Sequence, residues 1–320
     1  RYRGDGACQK LQICDIATRL NEALVNDDHA KRHCLVQELY ASDKLHMLRQ
    51  NEKIFQTLRE HTITFLPSVR FKKGKYNLLK GAKRATPDRL PGYADRILYS
   101  PDLSPIEYDL ETDNYFTSDH RPVTLKLSIN ATTTALVATY NCNARFDRQF
   151  FVEIARREET IIIVHVQEVS KNVYNKLHYL LTSVGFVGNL ECAPNLDFGL
   201  ASFYRSRKRC QFVAGPCIPH KSFVNQVVKT KGYVENVIYC HALRISCFNV
   251  HAPFVNESAL IRFYKQLSNA VKKVQKRYGG HVIVAGDFNS RSSVNGVGGA
   301  PIPYMKDVGI FATDCTPAEL

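Results

Sequence analysis

The sequence predicts an α/β domain built around β-sheets, and three observations carry that expectation. Short apolar runs of strand length alternate with amphipathic segments of helical period from about residue 135 to the end of the readable pattern. The segment Val123-Thr124-Leu125-Lys126-Leu127 alternates apolar and polar residues as a half-buried strand does. The composition is that of a folded domain: of 320 residues 44% are apolar and 23% charged, with 17 Gly and 13 Pro, which excludes collagen-like, disordered and low-complexity chains. A chain this long has enough material for a substantial core.

Taken in order, Ile13, Ile16, Leu20 and Leu24 recur at helical spacing, and a second helical pattern runs from about Asp43 to Leu58. From Thr62 the pattern changes to strand-like runs: Ile63-Thr64-Phe65-Leu66, Arg96-Ile97-Leu98-Tyr99, then Val123 to Leu127. After the polar stretch Asn130 to Thr134 a second series begins. It comprises a strand from Ala135 to Tyr140, a helix near Arg148 to Glu158, the strand Ile161 to Val164 and a helix near Val173 to Ser183. Strands follow at Leu200 to Tyr204, Val234 to Cys240 and Ile245 to Val250. A long helix is expected from Ser258, a good N-cap, to Tyr278, with Lys272, Lys273, Lys276 and Arg277 in its last turns and Gly279-Gly280 as its stop. The buried strand His281 to Ala285 then runs into Gly286-Asp287-Phe288-Asn289, and no internal repeat is visible.

The charge is unusual. Forty-three Lys and Arg against 30 Asp and Glu give a net +13, which favours a phosphate-rich partner: nucleic acid, an anionic membrane surface or a small polyphosphate. Residues 61–90 hold Arg70, Lys72, Lys73, Lys75, Lys80, Lys83, Arg84 and Arg89 against the single acid Asp88. Arg205, Arg207, Lys208 and Arg209 form a second cluster that reads equally as membrane rim, nucleic-acid contact or solvated surface. Ten cysteines show no Cys-x-x-Cys pair, which argues against zinc, and those in apolar runs are read as reduced, buried thiols. No stretch approaches 18 consecutive apolar residues, and Arg1 to Gly6 lacks the apolar run of a signal peptide, so a cytoplasmic protein is expected, with peripheral membrane contact open to it.

Polar residues sit where buried strands end: Tyr140-Asn141-Cys142-Asn143, His165-Val166-Gln167-Glu168, Asn249-Val250-His251 and Gly286-Asp287-Phe288-Asn289. Thr117-Ser118-Asp119-His120 and Tyr93-Ala94-Asp95-Arg96 lead into two further strands. Any one of these reads as a turn. Together, at neighbouring strand ends, Asn141, Glu168, His251, Asp287, Asn289, Asp119 and His120 form a coherent chemical set. A carboxylate with an amide oxygen suits a hard cation such as Mg²⁺, histidines and amides donate to phosphoryl oxygens, and a second carboxylate orients water. No placed Cys or Ser nucleophile accompanies them, so direct attack by water is the economical mechanism.

This set resembles the endonuclease, exonuclease and phosphatase superfamily. Within it, Arg89-Leu90-Pro91-Gly92-Tyr93-Ala94-Asp95-Arg96-Ile97-Leu98 and Ser118-Asp119-His120-Arg121-Pro122-Val123 are similar to the signature of inositol polyphosphate 5-phosphatases. Phe65-Leu66-Pro67-Ser68-Val69-Arg70-Phe71 resembles that family's Phe-x-Pro-Thr-Tyr-Lys-Tyr segment, Asp43-Lys44-Leu45 its Asp-Gln-Leu, and Lys229-Thr230-Lys231-Gly232 loosely its Gly-Asn-Lys-Gly loop. The resemblance spans nearly the whole chain and implies a DNase I-like, four-layer α/β sandwich: two packed, mostly antiparallel or mixed sheets flanked by helices. One feature departs from the family. The motifs that come last there come first here, so the order reads as a circular permutation of one catalytic domain spanning 1–320. Residues 1–129 then correspond to the family's C-terminal half, 135–320 to its N-terminal half, and the old ends join at 128–134. New ends would open between the Asn289 loop and the Asp43 helix, as exposed loops tolerate.

The resemblance implies a Mg²⁺-dependent enzyme that removes the 5-phosphate from an inositol polyphosphate or phosphoinositide. Glu168, helped by Asn141, is expected to hold the metal. Asp287 should activate water, Asn289 should bond that water or the phosphoryl oxygens, and His251 and His120 should donate to the phosphoryl group, with Asp119 orienting His120. Arg70, Arg89 and Lys231 are expected on uncleaved phosphates, and Asp95 and Arg96 belong to the substrate-binding motif. Val69 and Arg70 replace the family's Tyr and Lys, and Asp88 adds a negative charge, so a weaker demand for a 4-phosphate follows. A nuclease or deadenylase of the same superfamily is the alternative partner reading, since basic charge suits RNA or DNA equally. A catalytically silent lipid-binding domain is the third, and oligomeric state is left open.

Overall fold

A computed structural model describes residues 5–51, 54–71, 91–113, 116–191, 199–221, 227–240, 243–253 and 257–290. The elements in chain order are α1 (Asp5–Val25), α2 (His29–Ala41), α3 (Lys44–Asn51), β1 (Asp95–Tyr99), β2 (Ser104–Leu110), β3 (Val123–Asn130), β4 (Thr133–Asn141), α4 (Arg148–Arg156), β5 (Ile161–Val169), α5 (Lys171–Thr182), β6 (Val187–Glu191), β7 (Gly199–Ser206), β8 (Cys210–Lys221), β9 (Val227–Cys240), β10 (Leu243–His251), α6 (Glu257–Tyr278) and β11 (His281–Asp287).

The strands form two mixed sheets, ordered β1-β11-β10-β9-β8 and β2-β3-β4-β5-β7-β6. Their packing follows from the two-residue period of side chains along a strand. Ala135 and Val137 of β4, Ile161 and Ile163 of β5, Ile245 and Cys247 of β10, and Ile283 and Ala285 of β11 share one core between the sheets. The alternate residues Leu136, Ala138, Ile162 and Val164 turn outward to meet Phe150, Phe151 and Ile154 of α4 and Val173, Leu177 and Leu181 of α5. Phe248, Val250, Val282 and Val284 turn outward on the other sheet to meet Leu260, Phe263, Tyr264, Leu267 and Val271 of α6. The result is helix, sheet, sheet, helix. Strands buried on both faces read as nearly unbroken apolar runs, which is why β4, β5 and β11 are plain in the sequence.

Several local expectations change. The helix expected over 43–58 ends at Asn51, and the segment from Ile63 to Leu66, with Ile63, Phe65 and Leu66 buried, lies outside any strand. Helix α2 was not anticipated, and its Leu35, Val36 and Leu39 join Ile16 and Leu20 of α1 in the core between the sheets. Helix α6 begins at Glu257, so Ser258 lies inside it, while its stop is as expected, Gly279 taking φ 62°. The thiol reading is corrected in part. Cys142 and Cys247 are reduced and buried, but Cys210 and Cys240 form a disulfide and Cys34 is also disulfide-bonded. Cys210 and Cys240 face each other in register across β8 and β9, with Cα atoms 4.3 Å apart, a pairing no sequence spacing announces. No helix among the described residues is long and apolar enough to cross a membrane.

Candidate active site

Two parallel pairs create the site edge. Strand β4 runs parallel to β5 with Asn141 opposite Gln167, and β10 runs parallel to β11 with His251 opposite Asp287. Strand β1 is antiparallel to β11, so its first residue, Asp95, is also opposite Asp287. His251, Asp287 and Asp95 therefore stand side by side on three adjacent strands. The other sheet closes on them: Asn141 Nδ2 donates to Asp287 Oδ2 at 2.9 Å. Deeper between the sheets, Gln167 Nε2 donates to Asn249 Oδ1 at 2.8 Å, and Asn249 Nδ2 to Ala201 O at 2.9 Å. These buried bonds satisfy the amides and register one sheet against the other.

Local backbone devices aim the side chains. Gly286 takes φ 156°, and a Cβ there would lie 2.0 Å from Val250 O, so only glycine lets β10 and β11 approach just before Asp287. A register shift between Val166 and Val169 turns Glu168 out of β5 with φ 55°. Asn289, Asn143, Ala144 and Arg70 also have positive φ, at 49°, 46°, 56° and 82°. Left-handed non-glycine residues are uncommon and cluster at functional sites.

His120 Nδ1 lies 2.8 Å from Asp95 Oδ2. Ser68 Oγ donates to that same oxygen at 2.8 Å and accepts from Asp95 N at 2.9 Å. Ser118 Oγ donates to Asn141 O at 2.8 Å and accepts from His120 N at 3.2 Å, tying the His120 loop to the end of β4. Glu168 Oε1 is 3.4 Å from His251 Nε2 and 3.7 Å from Lys231 Nζ, and Lys231 Nζ lies against His251 Nε2. His251 Nε2 is also 3.5 Å from Asp287 Oδ2, while Asp287 Oδ1 accepts from Asn289 N at 2.7 Å.

Burial and charge pull these groups in opposite directions. Burial raises Asp95, and although His120 and Ser68 oppose it, its pKa rises to about 6. Burial lowers His120, but the Asp95 carboxylate outweighs it and the pKa rises to about 9. At neutral pH the two are therefore an ion pair. Glu168 resists burial through its bond to His251 and the charge of Lys231, and is held well below the usual carboxylate range. Asp287 likewise resists burial, through His120, His251, Lys231 and the Asn141 bond, and is lowered. His251 is lowered by burial and by Lys231, which favours the neutral imidazole.

The structure thus brings together Asn141, Glu168, His251, Asp287, Asn289, Asp95, His120 and Lys231. Two expectations need correction. Asp119 does not orient His120; Asp95 does, and the Asp119 carboxylate instead accepts from Arg70 NH1 at 2.9 Å and from Asn143 Nδ2 at 3.4 Å. Arg96 is not at the substrate: successive residues of β1 point to opposite faces, so while Asp95 faces the site Arg96 is fully buried between Asp43 at 2.7 Å and Glu60 at 2.5 Å. Asn289 is beside Asp287, with Nδ2 donating to Ala252 O at 2.6 Å. Arg70 is near the site but ion-paired to Asp119. Arg89 and the basic run Lys72 to Arg84 lie outside the described residues. The second basic cluster is at the opposite end of the strands, where Arg205 donates to Ala155 O at 2.6 Å and Lys208 to Thr133 Oγ1 at 2.7 Å.

Sequence reasoning missed Ser68 and Ser118, although both stand inside the quoted motifs. It also missed Glu60 and Ser290. Ser290 Oγ donates to Asp43 Oδ2 at 2.7 Å and accepts from Leu45 N at 2.7 Å, while Asp43 Oδ1 caps His46 N at 2.9 Å. Nothing in the local pattern marks residues that meet from 247 positions apart.

The donor set fits a hard divalent cation. A carboxylate oxygen of Asp95 and one of Asp287 lie within 4.8 Å of each other, and Asp95 Oδ1 is buried without a hydrogen-bond partner. Glu168 and the Asn141 amide add oxygen donors at the same edge, and oxygen-rich sets of this kind suit Mg²⁺ or Mn²⁺.

Residues 11–126, which include Asp95, Asp119 and His120, match the family model described as Endonuclease/Exonuclease/phosphatase family 2. The match covers 116 of the 320 residues. Among solved structures, a mannosyl-6-phosphatase of Bacteroides thetaiotaomicron is 19% identical with a TM-score of 0.40 over 48% of this chain and 64% of that one. ANGEL2, a 2',3'-cyclic phosphatase, is 14% identical with a TM-score of 0.39 over 48% and 52%. TDP2 from Caenorhabditis elegans is 13% identical with a TM-score of 0.37 over 48% and 46%. The chain thus spans about half to two thirds of the length of these structures. No curated protein matches it.

Proposed function

We propose that this chain is a Mg²⁺-dependent phosphomonoesterase that removes the 5-phosphate from an inositol polyphosphate or phosphoinositide. The observation that carries this reading is the Asp95–His120 pair: the two segments that resemble the 5-phosphatase signature, 89–98 and 118–123, meet 2.8 Å apart beside Asp287. A bound cation would polarise the phosphoryl group and offset charge on the leaving oxygen. Glu168, Asn141 and the open Asp95 oxygen would hold it. His120, charged through Asp95, donates to a phosphoryl oxygen, and Lys231 and His251 offer further positive and donor groups. Asp287 orients the attacking water, its lowered pKa making it a fixed acceptor more than a proton store. Lys231 and Arg70 are the side chains for uncleaved phosphates, Arg70 by exchanging Asp119 for phosphate.

The permuted order belongs to this proposal. Two contacts support it: β3 and β4 join in a hairpin at Asn130 and Thr133, at the proposed junction, and Ser290 bonds Asp43, where the new ends would open. The net charge of +13 keeps the nuclease reading as the second one. Phosphate release from inositol phosphates, phosphoinositide vesicles, mannose 6-phosphate and short oligonucleotides, each with Mg²⁺ and with EDTA, tests both. Fastest turnover of a 5-phosphorylated inositol compound, lost in EDTA, is expected. Faster turnover of an oligonucleotide would replace this reading with the nuclease, and no turnover of any substrate would favour a silent binding domain.

A further inference from the structure

Helix α6 presents two faces of opposite character. Leu260, Phe263, Tyr264, Leu267, Val271 and Val274 are buried against β10 and β11. On the far side, Arg262, Lys265, Asn269, either of Lys272 and Lys273, and Lys276 fall at spacings of three and four residues, the ridge of a single helix face. Lys265, Lys272, Lys273 and Lys276 are exposed. The helix has one carboxylate, Glu257 in its first turn, and that is paired with Lys44 at 2.8 Å. The outer face thus carries basic side chains over about 21 Å from Arg262 to Lys276, counted at the usual helical rise, and ends in the exposed group Lys272, Lys273 and Lys276.

Two features select the partner. No large apolar side chain stands on the ridge, so it lacks the residues by which an interfacial helix enters a bilayer. Its direction also matters. Strand β10 ends at the site with His251 and β11 begins at the other end with His281, so α6 starts beside the site and runs away from it along the strands. A flat bilayer laid on this ridge would lie parallel to the strands, and the site at their ends would open along the membrane instead of into it. A linear polyanion has no such conflict, because it can follow the ridge and pass the site edge.

We infer that the outer face of α6 docks the phosphate backbone of a nucleic acid strand. The contact is electrostatic and sequence-independent, made by ammonium groups on phosphates with release of counterions. It stands apart from the proposed 5-phosphatase reading, since it concerns a surface and not the reacting phosphate.

The test is fluorescence anisotropy of a labelled 20-nucleotide single-stranded oligonucleotide titrated with the full chain at several salt concentrations. The wild type is compared with Lys272→Glu/Lys273→Glu/Lys276→Glu and with a control of equal charge change in the other basic cluster, Arg207→Glu/Lys208→Glu/Arg209→Glu. Thermal melts confirm that each variant folds. The ridge variant should bind at least about tenfold more weakly at low salt, with a dependence of log affinity on log salt shallower by about 2. The control should lose far less. Unchanged binding in the ridge variant, an equal loss in the control, or tighter association of the wild type with phosphatidylserine vesicles than with the oligonucleotide would overturn the inference.

Discussion

His120 owes its charge to one neighbour. Burial alone drives an imidazole toward its neutral form, and the Asp95 carboxylate at 2.8 Å, with smaller help from Asp287 and Asp119, reverses this and raises the pKa to about 9. Activity that depends on a cationic His120 should therefore be complete near neutral pH and fall as pH rises through about 9. With Asp95→Asn the largest opposing charge is gone and only the weaker pull of Asp287 and Asp119 is left against burial, so this limb should move down from about 9. A pH profile of kcat/KM checks the shift, and an unmoved limb would show that another group sets it. Glu168→Gln keeps the shape of the side chain but removes the charge that faces Lys231 and His251. A loss of about 100-fold or more in kcat at saturating Mg²⁺ is expected, as when a group that fixes transition-state charge is removed. Wild-type rates across a Mg²⁺ titration would sink the ligand assignment.

At the scale of elements, Arg96 joins the start of α3, the Glu60 segment and β1. Its guanidinium meets Asp43 and Glu60 with every partner buried, and Arg49 reaches Glu60 at 3.0 Å. Truncating one side of a buried pair leaves the other charge without compensation, so Arg96→Met should cost about 3–5 kcal/mol of stability. Denaturant unfolding measures it, and a loss under about 1 kcal/mol would mean that water reaches the carboxylates. Gly286→Ala tests the closest approach between strands: a Cβ 2.0 Å from Val250 O forces β10 and β11 apart. That variant should lose both stability and activity, because Asp287 is the next residue.

The whole molecule depends on two sheets converging at one edge. Asp95, Asp287 and Glu168 come from both sheets and repel one another wherever no cation lies between them. A divalent cation that binds there and not to the unfolded chain should raise the melting temperature. At a hundredfold excess over its dissociation constant the gain is about 2.7 kcal/mol. A melt with Mg²⁺ against EDTA checks this, and Glu168→Gln/Asp287→Asn should abolish the difference. An equal rise in that double variant would locate the cation elsewhere.

The strands β4, β5, β10 and β11 were legible because they carry apolar residues on both faces, whereas the four-layer arrangement was expected from the family resemblance and the strand order came from the structure. The polar residues that end those strands were legible for the same reason, since Asn141, Glu168, His251 and Asp287 interrupt apolar runs. What the sequence by itself determined is therefore the central strands and the helices that cover them, their two-faced burial and the list of chemical groups at their ends, while α2, β2, β6 and β8 carried no comparable signal. The pairing of those groups was decided by the tertiary structure. Adjacent residues of a strand face opposite sides, so Asp95 reaches the site while Arg96 is sealed under it, although the two stand together in one motif. Asp119 precedes His120 and seemed its natural partner, yet the loop turns that carboxylate to Arg70, and Asp95 arrives from another strand. Contacts such as Ser68 with Asp95 and Ser290 with Asp43 join distant segments, and distance in sequence carries no local signal. Hydrophobic periodicity reports which face of an element is buried, whereas hydrogen-bond partners depend on register between elements, and register exists only after the sheets have closed.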